Sequence, residues 1–522
     1  MPPLVHFEKS MGRRYAAACT MVGNASVMVI LSAQALVLMP LYLHCIGARL
    51  LGAWLATGDV LVWLQAFDLG LPNLMIQRIG AAHGRNDNTA IGAWLASGLA
   101  VLSGIALCLA VAGFFVASAI PGWMRITGAE AVLLRSCFRV SAVGASLCVF
   151  NNGFVGFSRG IQDTGKMNGV MLISVIAAFL TAVSAATAGL GLWAPALAAA
   201  ARALTLMVGG SLFVSPYLRG PLRGHFRIDG AVVRELFAIL PATALGGIGY
   251  AAMNQSQIAL AAVFLRPEAA LVLSVTRKAA DLLRSIADTI ASSVYGSFAS
   301  LAGSQERSRA FRVLHQLCAL RSAVVIAGAA AYVAVNQVLV GKWVGPRQYG
   351  GLPLTMLIAV ETVVVGGSYL FNYLYRATGP VARGSLMLLL EALMRVPLII
   401  AGLKWLGLPG ASLAATFTAA GFFFVGRRWT LHRLSREPAE GYSTPGAVWA
   451  TRLFFCMLGI ALGMRPPAAS WSYVVVAALC VGALGLIALV LGDPRLNEPR
   501  RLALSMLRLG SAGRVKTTCA LV

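Results

Sequence analysis

Charged side chains are scarce in this chain: only 11% of its 522 residues are Asp, Glu, Lys or Arg, against about 25% in soluble proteins. That shortage excludes an ordinary water-soluble globule. Acids are the rarer sign, 18 against 42 bases, for a net charge of +24. Cysteines number nine (Cys19, Cys45, Cys108, Cys137, Cys148, Cys318, Cys456, Cys480 and Cys519) and none form a CxxC pair. A disulfide framework and a zinc ribbon are therefore excluded, and these thiols read as small apolar packing groups. Six histidines without an HExxH pattern give no metal site, and no cofactor is expected. Long polar connections are missing too, as are a nucleophile elbow, an acid-rich outer loop and a redox pair, so an enzyme is not expected.

What is present is hydrophobic sequence, 58% of the chain. A spanning helix needs about 20 apolar residues. About fourteen such segments can be laid out: 16–44, 51–77, 91–120, 137–158, 168–189, 192–216, 236–264, 269–297, 313–340, 351–375, 384–403, 408–426, 447–464 and 471–492. The expected fold is an all-α polytopic membrane protein with both termini cytoplasmic. Ala33-Gln34-Ala35 imitates a signal-peptidase site, but the apolar run continues to Tyr42 and reads as an uncleaved first helix.

The excess of basic residues follows from sidedness. With the N-terminus inside, the predicted inner loops carry Arg219, Arg223, Arg227 and Arg234, then Arg427, Arg428, Arg433 and Arg436, with a basic tail from Arg495. The predicted outer loops hold Arg49, Arg125, Arg135 and few others, and Trp123, Trp193, Trp343, Trp405 and Trp471 lie in or beside them. This is a positive-inside pattern with an interfacial aromatic belt, and nucleic acid is not a predicted partner. A faint repeat at about 215 residues, Leu197-Ala198-Ala199 over Leu413-Ala414-Ala415, fits two parallel six-helix halves. The expected division is 1–225, 226–435, two extra helices within 436–492, and a basic tail from 493 to 522.

The most informative segment is 269–297. Arg277, Asp281, Arg284 and Asp288 recur along one helix face with alternating sign, and Lys278 sits beside them. Each charge at the centre of a spanning helix costs about 2.5–3.5 kcal/mol, so this face cannot meet lipid. It lines a polar pathway or forms a self-compensating ladder of ion pairs. Other intramembrane polar groups join it: Asn24 and Gln34; Asp59, Trp63 and Asp68; Arg202; Asn254-Gln255-Ser256-Gln257; Glu361; and Glu391 with Arg395 at i, i+4. Asp59 and Asp68 are on opposite helix faces, so at most one shares a cavity with the stripe. Glu391 and Arg395 have the spacing of a structural ion pair.

Two motifs mislead. Gly160 to Lys166 imitates the phosphate loop GxxxxGK, but Met167 replaces the Mg²⁺-holding Ser/Thr and the segment follows a membrane helix. Cys519-Ala520-Leu521-Val522 imitates a prenylation box with an unusual last residue.

The stretch MPLYLHCIGARLLGAWLATGDVLVWLQAFDLGLPNLMIQRIGA, from Met39 to Ala81, resembles the opening of Wzx-type polysaccharide flippases. These belong to the multidrug/oligosaccharidyl-lipid/polysaccharide (MOP) exporter superfamily. The shared features are the P-x-Y…G exit from the first helix, the G-x-W entry to the second, Asp68-Leu69-Gly70-Leu71, and Arg78 near the helix end. The resemblance implies flipping of an undecaprenyl-pyrophosphate-linked oligosaccharide to the outer leaflet of a bacterial inner membrane, in surface polysaccharide (O-antigen or exopolysaccharide) biosynthesis. It implies that Arg277, Lys278 and Arg284 hold the pyrophosphate, oriented by Asp281 and Asp288. Asn254, Gln255, Gln257 and Arg202 are further candidates for substrate contact; Asp59, Asp68, Glu361, Glu391 and Arg395 are candidates for coupling or gating. Membrane lipids, a polysaccharide polymerase and chain-length machinery are the implied partners. The alternatives are a multidrug/cation antiporter of the related extrusion family and a lipid II flippase.

Overall fold

The computed structural model describes residues 13–65, 70–293, 307–378, 381–434 and 471–492, with Cys456, Met457 and Gly459. Among the described residues there are α-helices, one short 3₁₀ turn at Pro346–Gln348 and no strands. The helices are α1 (Arg13–Ile46), α2 (Ala48–Gln65), α3 (Leu71–Gly84), α4 (Asn88–Trp123), α5 (Gly128–Gly160), α6 (Thr164–Thr187), α7 (Trp193–Arg219), α8 (Gly230–Gln255), α9 (Gln257–Phe264) and α10 (Pro267–Ser293). They continue as α11 (Arg307–Trp343), α12 (Gly351–Thr378), α13 (Val381–Leu406), α14 (Leu408–Leu434) and α15 (Trp471–Gly492). Eight of them (α4–α7 and α11–α14) contain stretches long and apolar enough to cross a membrane. This is a multi-pass membrane protein. Charge-rich α10 is not one of the eight.

Two predicted spans are interrupted. The segment 51–77 is divided between α2 and α3. Gly70, at φ +68°, adopts a left-handed conformation that a Cβ would disfavour. Pro72 follows in the first turn of α3, where its missing N–H leaves no helical bond unmade. The segment 236–264 breaks at Ser256, between α8 and α9. The predicted span 447–464 lies almost wholly outside the described residues, and Asp68 lies outside them altogether. The side chains of Asn24, Asp59 and Trp63 are likewise outside the described set.

Packing sorts the chain into two units. The first comprises Met1–Val275, Trp343–Gln348 and Val381–Ala415; the second comprises Thr276–Lys342, Tyr349–Pro380 and Thr416–Val522. In the first, Leu95, Leu102, Phe138 and Phe157 are buried between α3, α4, α5 and α7. Phe157 meets Tyr217 edge-on at 5.4 Å. Gln34 ties α1 to α6 through the Val175 carbonyl at 3.0 Å. In the second, Phe371 of α12 meets Phe423 of α14 edge-on at 5.3 Å.

Lipid is as apolar as leucine, so close packing rather than water exclusion must hold such helices together. The α13–α14 hairpin shows this most sharply. It turns at Gly407, φ +66°, and brings Gly402 and Gly410 backbone to backbone, so that a Cβ on either would collide with the other's carbonyl.

The decoy phosphate loop is a packed turn. Asp163 accepts a hydrogen bond from the Tyr217 hydroxyl at 2.6 Å, and its carbonyl accepts one from Ser158 at 2.7 Å.

Candidate functional site

The charged stripe of α10 lies in the second unit, and α11 fixes it in place. The carbonyl of Thr276, one residue before Arg277, accepts from the Tyr332 hydroxyl at 2.8 Å and from Asn336 Nδ2 at 3.1 Å. The Thr276 hydroxyl accepts the Gly350 N–H at 3.0 Å. Asn336 also donates to Thr355 Oγ1 at 3.3 Å. Two elements, α11 and the turn that leads into α12, thus grip α10 where its charged face begins.

Arg277 is buried and forked. Its Nε donates to Asp281 Oδ1 at 3.0 Å, and its Nη2 lies 3.8 Å from Glu361 Oε1 on α12. Two turns on, the Arg284 guanidinium stands 5.2 Å from the centroid of the Tyr369 ring. The charges of Asp288 and Glu361 act on it as well. Arg321, buried on α11, donates through Nη2 to the Val363 carbonyl at 3.3 Å and shares Asp288 with Arg284.

The result is one network drawn from α10, α11 and α12: Arg277, Arg284 and Arg321 against Asp281, Asp288 and Glu361. Its formal charges balance. Burial is uneven, since the Arg277 side chain is 6% exposed while Asp281 is 42% exposed. Such an arrangement can hold three cations inside a membrane protein while leaving one carboxylate open to exchange.

The structure therefore brings Arg277, Asp281, Arg284, Asp288 and Glu361 together. Lys278 is exposed and makes no ion pair among the described residues. Arg321 and Tyr369 did not figure in the sequence reading. Arg321 lies inside the apolar segment 313–340, and a lone arginine within such a run is a signal that could have singled it out, though not its partners.

The other candidates belong to the first unit. Glu391 and Arg395 of α13 are both buried and form the ion pair their spacing predicted. Arg395 also donates through Nη1 to the Met253 carbonyl at 3.4 Å. Met253 lies in the last turn of α8, where carbonyls lack intrahelical partners, so this arginine closes the helix end at the Ser256 break. The polar run is the break itself. Asn254 donates back to the Tyr250 carbonyl at 2.9 Å, Gln255 is half-buried, and Ser256 and Gln257 are buried. Arg202 of α7 is half-buried and bears electrostatically on Cys148 of α5.

No protein-family model matches the sequence, and no curated protein matches it. Solved structures do match in fold. An inward-facing multidrug resistance transporter of the MATE family, MOP superfamily, aligns with TM-score 0.57 and 15% identity over 79% of this chain and 98% of that one. A MATE transporter in complex with MaD3S gives 0.58 and 16%, over 80% and 95%. A MOP superfamily transporter from Pyrococcus furiosus gives 0.56 and 16%, over 78% and 95%; the reverse polarity of its binding pocket is said to suggest a different function. The chain has the fold of these transporters.

Proposed function

We propose that this protein moves an undecaprenyl-pyrophosphate-linked oligosaccharide from the inner to the outer leaflet of a bacterial inner membrane by alternating access. The observation that carries the reading is the set of three buried arginines, Arg277, Arg284 and Arg321, in one network. Guanidinium groups stay charged at any accessible pH and bind phosphate bidentately. A pyrophosphate entering the network competes with Asp281, Asp288 and Glu361 for them, while the polyprenyl tail stays in the lipid. The transporter fold of the structural neighbours supports movement of a solute around a central site. Carrying about two negative charges outward across an inside-negative potential releases roughly 2.3 kcal/mol per charge per 100 mV, so the field favours export.

The test is export of surface polysaccharide in a deletion strain complemented with wild type, Arg284→Ala or Arg321→Ala, with membrane levels matched. Loss of export with lipid-linked intermediate held in the inner leaflet is the expected result. Undiminished export from both variants would remove the arginine network from the mechanism.

A second reading, antiport of organic cations, draws on the balanced charge of the network and on the MATE neighbours. Extrusion of a cationic dye from cells expressing the protein, lost in Glu361→Gln and Asp288→Asn but not in Arg284→Ala, would favour it over the first.

A further inference from the structure

Two arginines of α5 stand apart from every network described so far. Arg139 lies seven residues beyond Val132 and four before Val143, and these valines are 61% and 49% exposed, so all three share the outward face of the helix. Its guanidinium carbon sits 3.9 Å above the ring of Phe114, which is 52% exposed on α4. Arg135 lies one turn earlier on the same face. The Nε atoms of both arginines are buried without a hydrogen-bond partner. Among the described residues no carboxylate is within ion-pair distance of either.

These cations border the seam where α5 meets α4, on the side where Phe114 and Val143 are exposed. At about 1.5 Å per residue, α4 (36 residues) and α5 (33 residues) are about 54 and 50 Å long, whereas the hydrocarbon core is about 30 Å thick. Arg139 is about 16 Å from the start of α5, and the overhang of the helix places it near the predicted outer edge of that core. A long basic side chain there reaches toward the headgroup layer.

We infer that the exposed α4–α5 seam is a binding site for an anionic phospholipid, whose phosphate pairs with Arg135 and Arg139 while its acyl chains lie along Val143 and Phe114. The phosphate supplies the countercharge that the protein does not, and Phe114 holds the Arg139 guanidinium by a cation–π contact. The inference rests on the chain spanning a membrane, and holds whichever solute is transported.

The full chain in nanodiscs of mixed phosphatidylglycerol and phosphatidylcholine, read by native mass spectrometry, tests it. Wild type should retain phosphatidylglycerol in preference to phosphatidylcholine. Arg135→Gln and Arg139→Gln should each weaken that preference about fivefold, and Arg139→Lys should keep more of it than Arg139→Gln. Equal retention of the two lipids by wild type, or unchanged preference in the Arg135→Gln/Arg139→Gln double variant, would overturn the site. Release of phosphatidylglycerol by excess inorganic phosphate would overturn the lipid as occupant and mark a site for free anions. If the double variant does not fold, the comparison of Arg139→Lys with Arg139→Gln alone decides the matter.

Discussion

The two units treat buried arginine in opposite ways. In the first, Arg395 pairs with the carboxylate of Glu391 on its own helix and with a helix-end carbonyl, Met253, at 3.4 Å. In the second, Arg277, Arg284 and Arg321 come from two helices, share their acids, and adjoin a carboxylate that is 42% exposed. A pair that completes itself fixes a backbone break. A network whose members have more than one partner can change partners, as the proposed transport role requires. The arginines themselves are buried to nearly the same degree, so the difference lies in how their partners are connected and exposed.

The largest effect should come from breaking the closed pair. Arg395→Ala strands Glu391 and should cost about 3–5 kcal/mol, seen as loss of folded protein in the membrane. Replacing both partners, Glu391→Leu with Arg395→Met, should recover most of the yield; failure to recover would mean that Arg395 does more than neutralise Glu391 and close α8. Next comes the open network. Arg284→Ala and Arg321→Ala should leave membrane levels near normal yet reduce transport at least tenfold, as loss of about 2 kcal/mol from a buried charge contact predicts. If they unfold the protein as Arg395→Ala does, the contrast between the units collapses. Glu361→Gln should act more mildly, because Arg277 keeps Asp281 at 3.0 Å; initial transport rates in vesicles would show it. Smallest of all, Lys278→Ala should stay within about 0.5 kcal/mol in stability and leave transport unchanged. A large loss of transport would place that exposed lysine at the entry of the pathway.

The helices were legible because length and apolarity alone define them: α11 and α13 run a few residues beyond both ends of the segments 313–340 and 384–403, and α12 and α14 begin where 351–375 and 408–426 begin. The alternating stripe of α10 was legible because i, i+3 and i, i+4 spacings are local, and so was the Glu391–Arg395 pair. Arg321 was not, since its partners lie 33 residues upstream (Asp288) and 42 downstream (Val363) and nothing in a local pattern points to them. The run Asn254 to Gln257 was legible as unfit for lipid, and Asn254, Gln255 and Gln257 were read as candidates for substrate contact. A polar run in an apolar helix can also be the place where the helix stops, and the approach of Arg395 from α13 that closes this break lies outside any local pattern. The break before α3 was foreshadowed by Gly70 and Pro72, whose spacing the apolar count overrode.

The contact between Gly402 and Gly410 carries a mechanical consequence. Two helices touching through bare backbone cannot slide or roll past one another without first being pried apart, because no side chain lies between them to change rotamer. Whatever rearrangement this protein undergoes in its working cycle, the α13–α14 hairpin acts as a rivet at that point and the segments on either side of it travel together. Saturation mutagenesis should record the rivet as two positions that accept glycine alone, only a few residues from exposed Leu413 and Phe417, where almost any apolar residue will serve.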